Sequence, residues 1–183
     1  MFGFIAIGVL VLLVILWVAG YNKLIKFRNW VEESWAQIDV QLKRRYDLIP
    51  NLVETVKGYA SHEKETLTKV VELRNQMGDS NMNRQDQMEV NDQLSGALKN
   101  LFALREAYPD LKANQNFAML QEELTQTENK IAYSRQLYNN TVMKYNTKIQ
   151  SIPTNILASI HGFGKRDMLE ANKEERKNVE VKF

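Results

Sequence analysis

Residues 1 to 22 hold no Asp, Glu, Lys or Arg, and Lys23 is the first charged side chain. Between Phe2 and Val18 there are 13 Ile, Leu, Val or Phe residues. On an insertion scale these favour the membrane by about 4 to 8 kcal/mol, with no charge opposing them. About 20 apolar residues rising about 1.5 Å each cover about 30 Å, the thickness of a bilayer's hydrocarbon core. Trp17 and Tyr21 stand near the end of the run, where aromatic rings prefer the interface. A cleaved secretory signal would carry cations before the apolar run and small residues at a cleavage site after it. Here only Met1 and Phe2 precede Gly3, Lys23, Lys26 and Arg28 follow the run, and Val18-Ala19-Gly20 is a poor cleavage match. The expectation is an uncleaved single-pass anchor over residues 1–22. Cations on its C-terminal flank put the N-terminus outside and residues 23–183 in the cytoplasm, by the positive-inside bias.

After the anchor the period changes to that of an amphipathic helix. Leu24, Phe27, Val31, Trp35, Ile38, Leu42, Tyr46, Ile49, Val53, Val56 and Ala60 follow at steps of three or four. Further helices are predicted from about His62 to Gln76, to about Tyr108 after a 78–86 loop, and from about Phe117 to Ile149. Ser61 is a candidate cap for the first of these, and Asn114 or Asn116 for the last. Pro109 and Pro153 are expected to act as stops. Scarce breakers, with 8 Gly and 3 Pro, favour long helices over a turn-rich sheet protein. The predicted fold is all-α: the membrane helix, then an antiparallel four-helix bundle over 23–164. Eleven of the 19 residues from Lys165 to Phe183 are charged. That tail is expected to be loose or only partly helical.

Lys43, Arg44 and Arg45 form the densest charge run inside a helix, just before Pro50. Proline removes a backbone donor and clashes with the carbonyl of Tyr46, which predicts a kink at Pro50 with the apolar stripe resuming beyond it. The three cations then either serve freed carbonyls and neighbouring acids as a solvated face, or build a site for an anion or an acidic partner. Charge runs are usually solvated faces, so the first reading is preferred. Tyr138-Asn139 and Tyr145-Asn146 repeat seven residues apart, which puts each pair on one helical face. Asn139 and Asn146 at a packed seam would fix register within the chain or between copies. Trp35 falls on the stripe. Trp30 lies off it near the membrane exit, and is a candidate contact for lipid headgroups or another subunit.

Reactive chemistry has little to work with. There is no cysteine, and only His62 and His161 among histidines. No His-Glu-x-x-His, carboxylate-histidine metal repeat or Gly-rich phosphate loop is present. Ser61, His62 and Glu63 are sequence neighbours that point about 100° apart on a helix, so they do not converge. His161 before Gly162 reads as a helix-end residue. Near-balanced charge, 24 Lys and Arg against 22 Asp and Glu, argues against nucleic-acid binding. No catalytic residue, metal site, cofactor or small-molecule substrate is expected.

Three long strings carry a family resemblance: YNKLIKFRNWVEESWAQIDVQLKRRYDLIPNLVETVKGYASHE, AYPDLKANQNFAMLQEELTQTENKIAYSRQLYNNTVMKYN and IPTNILASIHGF. From about Tyr21 to Phe163 the chain resembles LemA family proteins. The resemblance implies a short outer N-terminus, one span and an antiparallel four-helix bundle, but no reaction and no catalytic residues. Some members of that family work beside membrane proteases or in membrane-organelle formation. The expected function is therefore a non-catalytic scaffold or adaptor on the bilayer, binding copies of itself or a membrane protein such as a membrane protease. A membrane-linked sensor that passes a tilt through the Pro50 region is the alternative.

Overall fold

The computed structural model describes residues 2–79 and 81–170, and these are helical with no strand among them. Six α-helices occur in order: α1 (Phe2–Lys57), α2 (Lys64–Met77), α3 (Arg84–Ala103), α4 (Pro109–Ala113), α5 (Gln115–Gln150) and α6 (Thr154–Ile160). The chain divides into two compact units. One comprises Met1–Gln37 and Ser134–Met168, the other Ile38–Tyr133 and Leu169–Phe183.

The first unit contains the apolar start of α1. From Phe2 to Val18 its side chains are exposed, and the helix is long and apolar enough to cross a membrane. A core helix of a water-soluble protein has the same composition but is covered; none of this window is. From Leu24 onward α1 gains a buried stripe through Val31, and the end of α5 matches it with Tyr138, Val142 and Tyr145. Trp35 is half-buried, edge-on to Tyr138 at 6.0 Å between ring centres.

The second unit has an aliphatic core. Ile49, Leu52, Val53 and Val56 of α1 pack with Leu67, Val70 and Leu73 of α2, with Leu94, Leu98 and Leu101 of α3, and with Phe117 and Leu124 of α5. Pro50 lies inside α1 at an exposed position, and the helix continues past it to Lys57.

Several helix ends differ from the sequence expectation. α2 starts at Lys64, with Glu63 rather than Ser61 at the cap position, because the Glu63 N–H turns back to the Ala60 carbonyl at 3.1 Å. α3 begins earlier than a 78–86 loop allows: Asn83 caps it, its Oδ1 accepting from the Asp86 N–H at 2.9 Å. α3 also stops at Ala103 and tightens into a 3-10 turn over Leu104–Glu106, short of Tyr108. Pro109 opens α4, where a missing N–H costs nothing. Asn114, of the two candidates, caps α5 by accepting from the Phe117 N–H at 2.9 Å. α5 ends at Gln150, ahead of Pro153. Of the charged tail, residues 165–170 have no regular secondary structure, and the remainder lies outside the described residues.

Candidate interaction sites

Lys43, Arg44 and Arg45 do not form one basic patch. Successive helical residues point about 100° apart, and each of these cations meets a different environment. Lys43 is exposed and pairs with Asp47 one turn on at 3.2 Å. It borders a cleft of about 340 Å³ lined also by Tyr46, Met77 and Asp79. Arg44 pairs with Glu123 of α5 at a half-exposed position. Arg45 is buried, with 3% of its side chain exposed. Its guanidinium donates to Asn91 Oδ1 at 2.6 Å, to Ser95 Oγ at 3.0 Å, and to the Glu128 carboxylate. The Ser95 hydroxyl in turn donates to the other Glu128 oxygen at 2.8 Å. Burial pushes the guanidinium below its usual pKa, and the Glu128 and Asp92 charges oppose that shift. Glu128 is 38% exposed, so the pair has a dry end and a wet end.

Arg45 was legible as an inward residue. It stands three residues after Leu42 and four before Ile49, both on the buried stripe. Tyr46 occupies the alternative step, is half-buried, and has the Arg74 guanidinium over its ring at 3.8 Å.

Asn146 bonds within the chain, to a segment 20 residues further on. Its amide clasps the backbone of Arg166: Nδ2 donates to the Arg166 carbonyl at 2.8 Å, and Oδ1 accepts the Arg166 N–H at 3.0 Å. Beside it the Tyr145 hydroxyl donates to the Gly164 carbonyl at 2.9 Å, and the Tyr138 hydroxyl to that of Asp167 at 3.3 Å. Arg166 pairs with Glu32 of α1 at 3.3 Å. Three side chains of α5 thus hold an extended segment by its backbone. The turn leading in is made by Gly162, whose φ of 69° is the left-handed value a helix C-terminus uses. The Phe163 N–H reaches back to the Ala158 carbonyl at 2.9 Å, and the Phe163 ring is buried. Asn139, one helical repeat earlier, is half-buried.

Trp30 is 41% exposed, edge-on to Phe27 and covered by the Lys26 ammonium at 5.0 Å. His161 packs its ring on Tyr21 at 4.8 Å and on Trp17 at 6.0 Å. Among the described residues no three His, Cys, Asp or Glu side chains group as a metal site would need.

A sequence model of the LemA family matches residues 34–183. Protein LemA of Metamycoplasma hominis is 26% identical over 168 residues, which is 90% of this chain and 75% of that protein. The family match covers α1 from Ser34 onward and all of α5, with the Arg45 cluster and the clasped segment inside it. The chain therefore belongs to the LemA family.

Proposed function

We propose that the protein is a non-catalytic scaffold or adaptor held on a membrane by the start of α1. One observation carries this reading: an exposed apolar stretch and a packed amphipathic stretch are parts of one unbroken helix, Phe2–Lys57. Each needs a different solvent, so the helix works only where lipid and water meet. Residues 1–22 form the anchor, with the N-terminus outside. Residues 23–164 form a cytoplasmic antiparallel four-helix bundle, and the charged tail follows. The antiparallel arrangement of α1 and α5 is supported by two pairs whose numbers run in opposite order, Arg45 with Glu128 and Tyr59 with Asn114. Lys43, Arg44, Arg45 and Arg166 each pair with a carboxylate of the same chain, which suits holding a shape more than performing a reaction. The partner is a second copy or another membrane protein, and exposed Trp30 beside Lys26 belongs to that contact surface.

Light scattering of the protein purified in mild detergent tests this. Assembly above the monomer, or specific capture of a membrane protein in a pull-down, supports it. A strict monomer that captures nothing overturns it. The unbroken run of α1 also favours a second reading, a sensor that passes a tilt along the helix. Pro50→Ala should then alter signalling while leaving the helix content unchanged.

A further inference from the structure

α6 carries an apolar edge that its own unit leaves uncovered. Ile152 is 84% exposed, Ile156 54% and Ile160 61%. Ile156 and Ile160 are four residues apart and share one face of α6, and Ile152 stands exposed just ahead of the helix. The other side is buried through Thr154, Leu157 and Ala158. That side lies against one level of α1. A Cβ on Gly20 would stand 2.6 Å from Leu157 Cδ1, so the Leu157 side chain seats directly on Gly20. His161, just past the helix, meets the rings of Trp17 and Tyr21. Trp17, Gly20 and Tyr21 are where the apolar run of α1 ends and the cations Lys23, Lys26 and Arg28 begin. α6 therefore sits beside the point at which a spanning helix leaves hydrocarbon for headgroups.

We propose that α6 is a second membrane contact, an interfacial helix whose Ile152, Ile156 and Ile160 edge enters the boundary between headgroups and acyl chains. This rests on the start of α1 being a membrane span. Seven residues are far too few to cross a bilayer, but an apolar edge of this kind is what lies in the interface plane. Free in solution so short a helix would bind lipid weakly. Fixed to α1, it is already at the surface, and its local concentration there is high without any new contact. Lys23, Lys26 and Arg28 at the same level supply charge for anionic lipid. A second copy is the rival cover, and the position of the edge at the end of the span favours lipid. The consequence is a two-point attachment that fixes the membrane-proximal unit against rotation about the anchor.

The chain has no cysteine, so an environment-sensitive NBD label can be placed at one site at a time. Full-length Ile152→Cys, Ile156→Cys and Ile160→Cys proteins would be reconstituted in vesicles of phosphatidylcholine and phosphatidylglycerol. Asn140→Cys and Lys144→Cys, exposed positions on α5, serve as references. The expected result is blue-shifted emission at 152, 156 and 160 that is lost when the lipids carry a nitroxide near the headgroup. The references should show neither effect. Reference-like emission at the three isoleucine positions overturns the proposal. A blue shift without nitroxide quenching means that a second copy covers the edge, and also overturns it. Flotation of the same vesicles separates the two readings. Protein that floats yet reports water at α6 removes the interfacial helix alone, whereas protein left unbound removes the span and α6 with it.

Discussion

The two compact units of this chain are held together by different physics. The second unit buries Leu, Ile and Val from five helices, then sets a cation among them. The first unit has a smaller core, in which Tyr138, Tyr145 and Phe163 pack among Leu24, Val31, Val142, Ile149 and Leu157, and it adds directed hydrogen bonds to the segment that follows Phe163. In the second unit burial is non-directional, and Arg45 is the point where geometry matters. In the first, Tyr138, Tyr145 and Asn146 grip backbone atoms that any sequence would offer. One unit therefore depends on side-chain shape and charge at a single place, and the other on where the main chain runs.

The largest test of that contrast is at Glu128. Glu128→Leu leaves the Arg45 guanidinium buried with only the weaker influence of Asp92, and removing one partner of a buried pair costs about 3–5 kcal/mol. Arg45→Met should cost less, about 1–3 kcal/mol, because the abandoned Glu128 is partly exposed and only Asn91 and Ser95 lose a buried partner. Denaturant midpoints by circular dichroism in mild detergent would read both. Equal losses would mean that the pair is not asymmetric in its burial.

Next comes the clasp. Asn146→Ala removes two backbone hydrogen bonds at a half-buried position, worth about 1–2 kcal/mol together, and the effect should be local. Trypsin should cut after Lys165 or Arg166 faster in the variant, with the overall midpoint little changed. No change in cleavage would show that the segment is held by Phe163 and Leu169 instead.

A smaller effect should follow pH. Burial raises the Tyr145 phenol above its usual 10.0, and the Arg166 and Arg28 charges only partly offset it. The folded state thus holds that proton more tightly than the unfolded chain. Its contribution is complete below the unfolded value and is lost as pH climbs through the raised folded value. Tyr145→Phe should flatten the decline in stability above about pH 10. Smallest of all is Lys43→Ala, which breaks an exposed pair within one helix and should cost less than about 0.5 kcal/mol. A larger loss would give the cleft beside it a structural role.

The stripe from Leu24 to Ala60 was readable because its period is that of a helix, and each of its positions is buried or half-buried in the structure. Thr127 completes the α5 stripe in the same way and is 1% exposed. Two things escape a reading by residue type. Arg45 was grouped with Lys43 and Arg44 because charge runs usually face water, although its steps to Leu42 and Ile49 match the buried stripe. The clasped segment left no pattern, since its partners bind main-chain atoms, and a charged run such as Lys165–Asp167 reads as solvated whether it is held or not. The seven-residue spacing of Asn139 and Asn146 puts them on one face of α5 but does not name the partner of Asn146. What it contacts lies 20 residues away, beyond any local rule.

The proposed attachment of α1 to the bilayer is the central claim, and alkaline carbonate extraction of native membranes tests it most directly. The full chain is expected to stay with the membrane pellet, as a helix buried in hydrocarbon must. Recovery of intact protein in the carbonate supernatant would contradict a membrane-spanning α1.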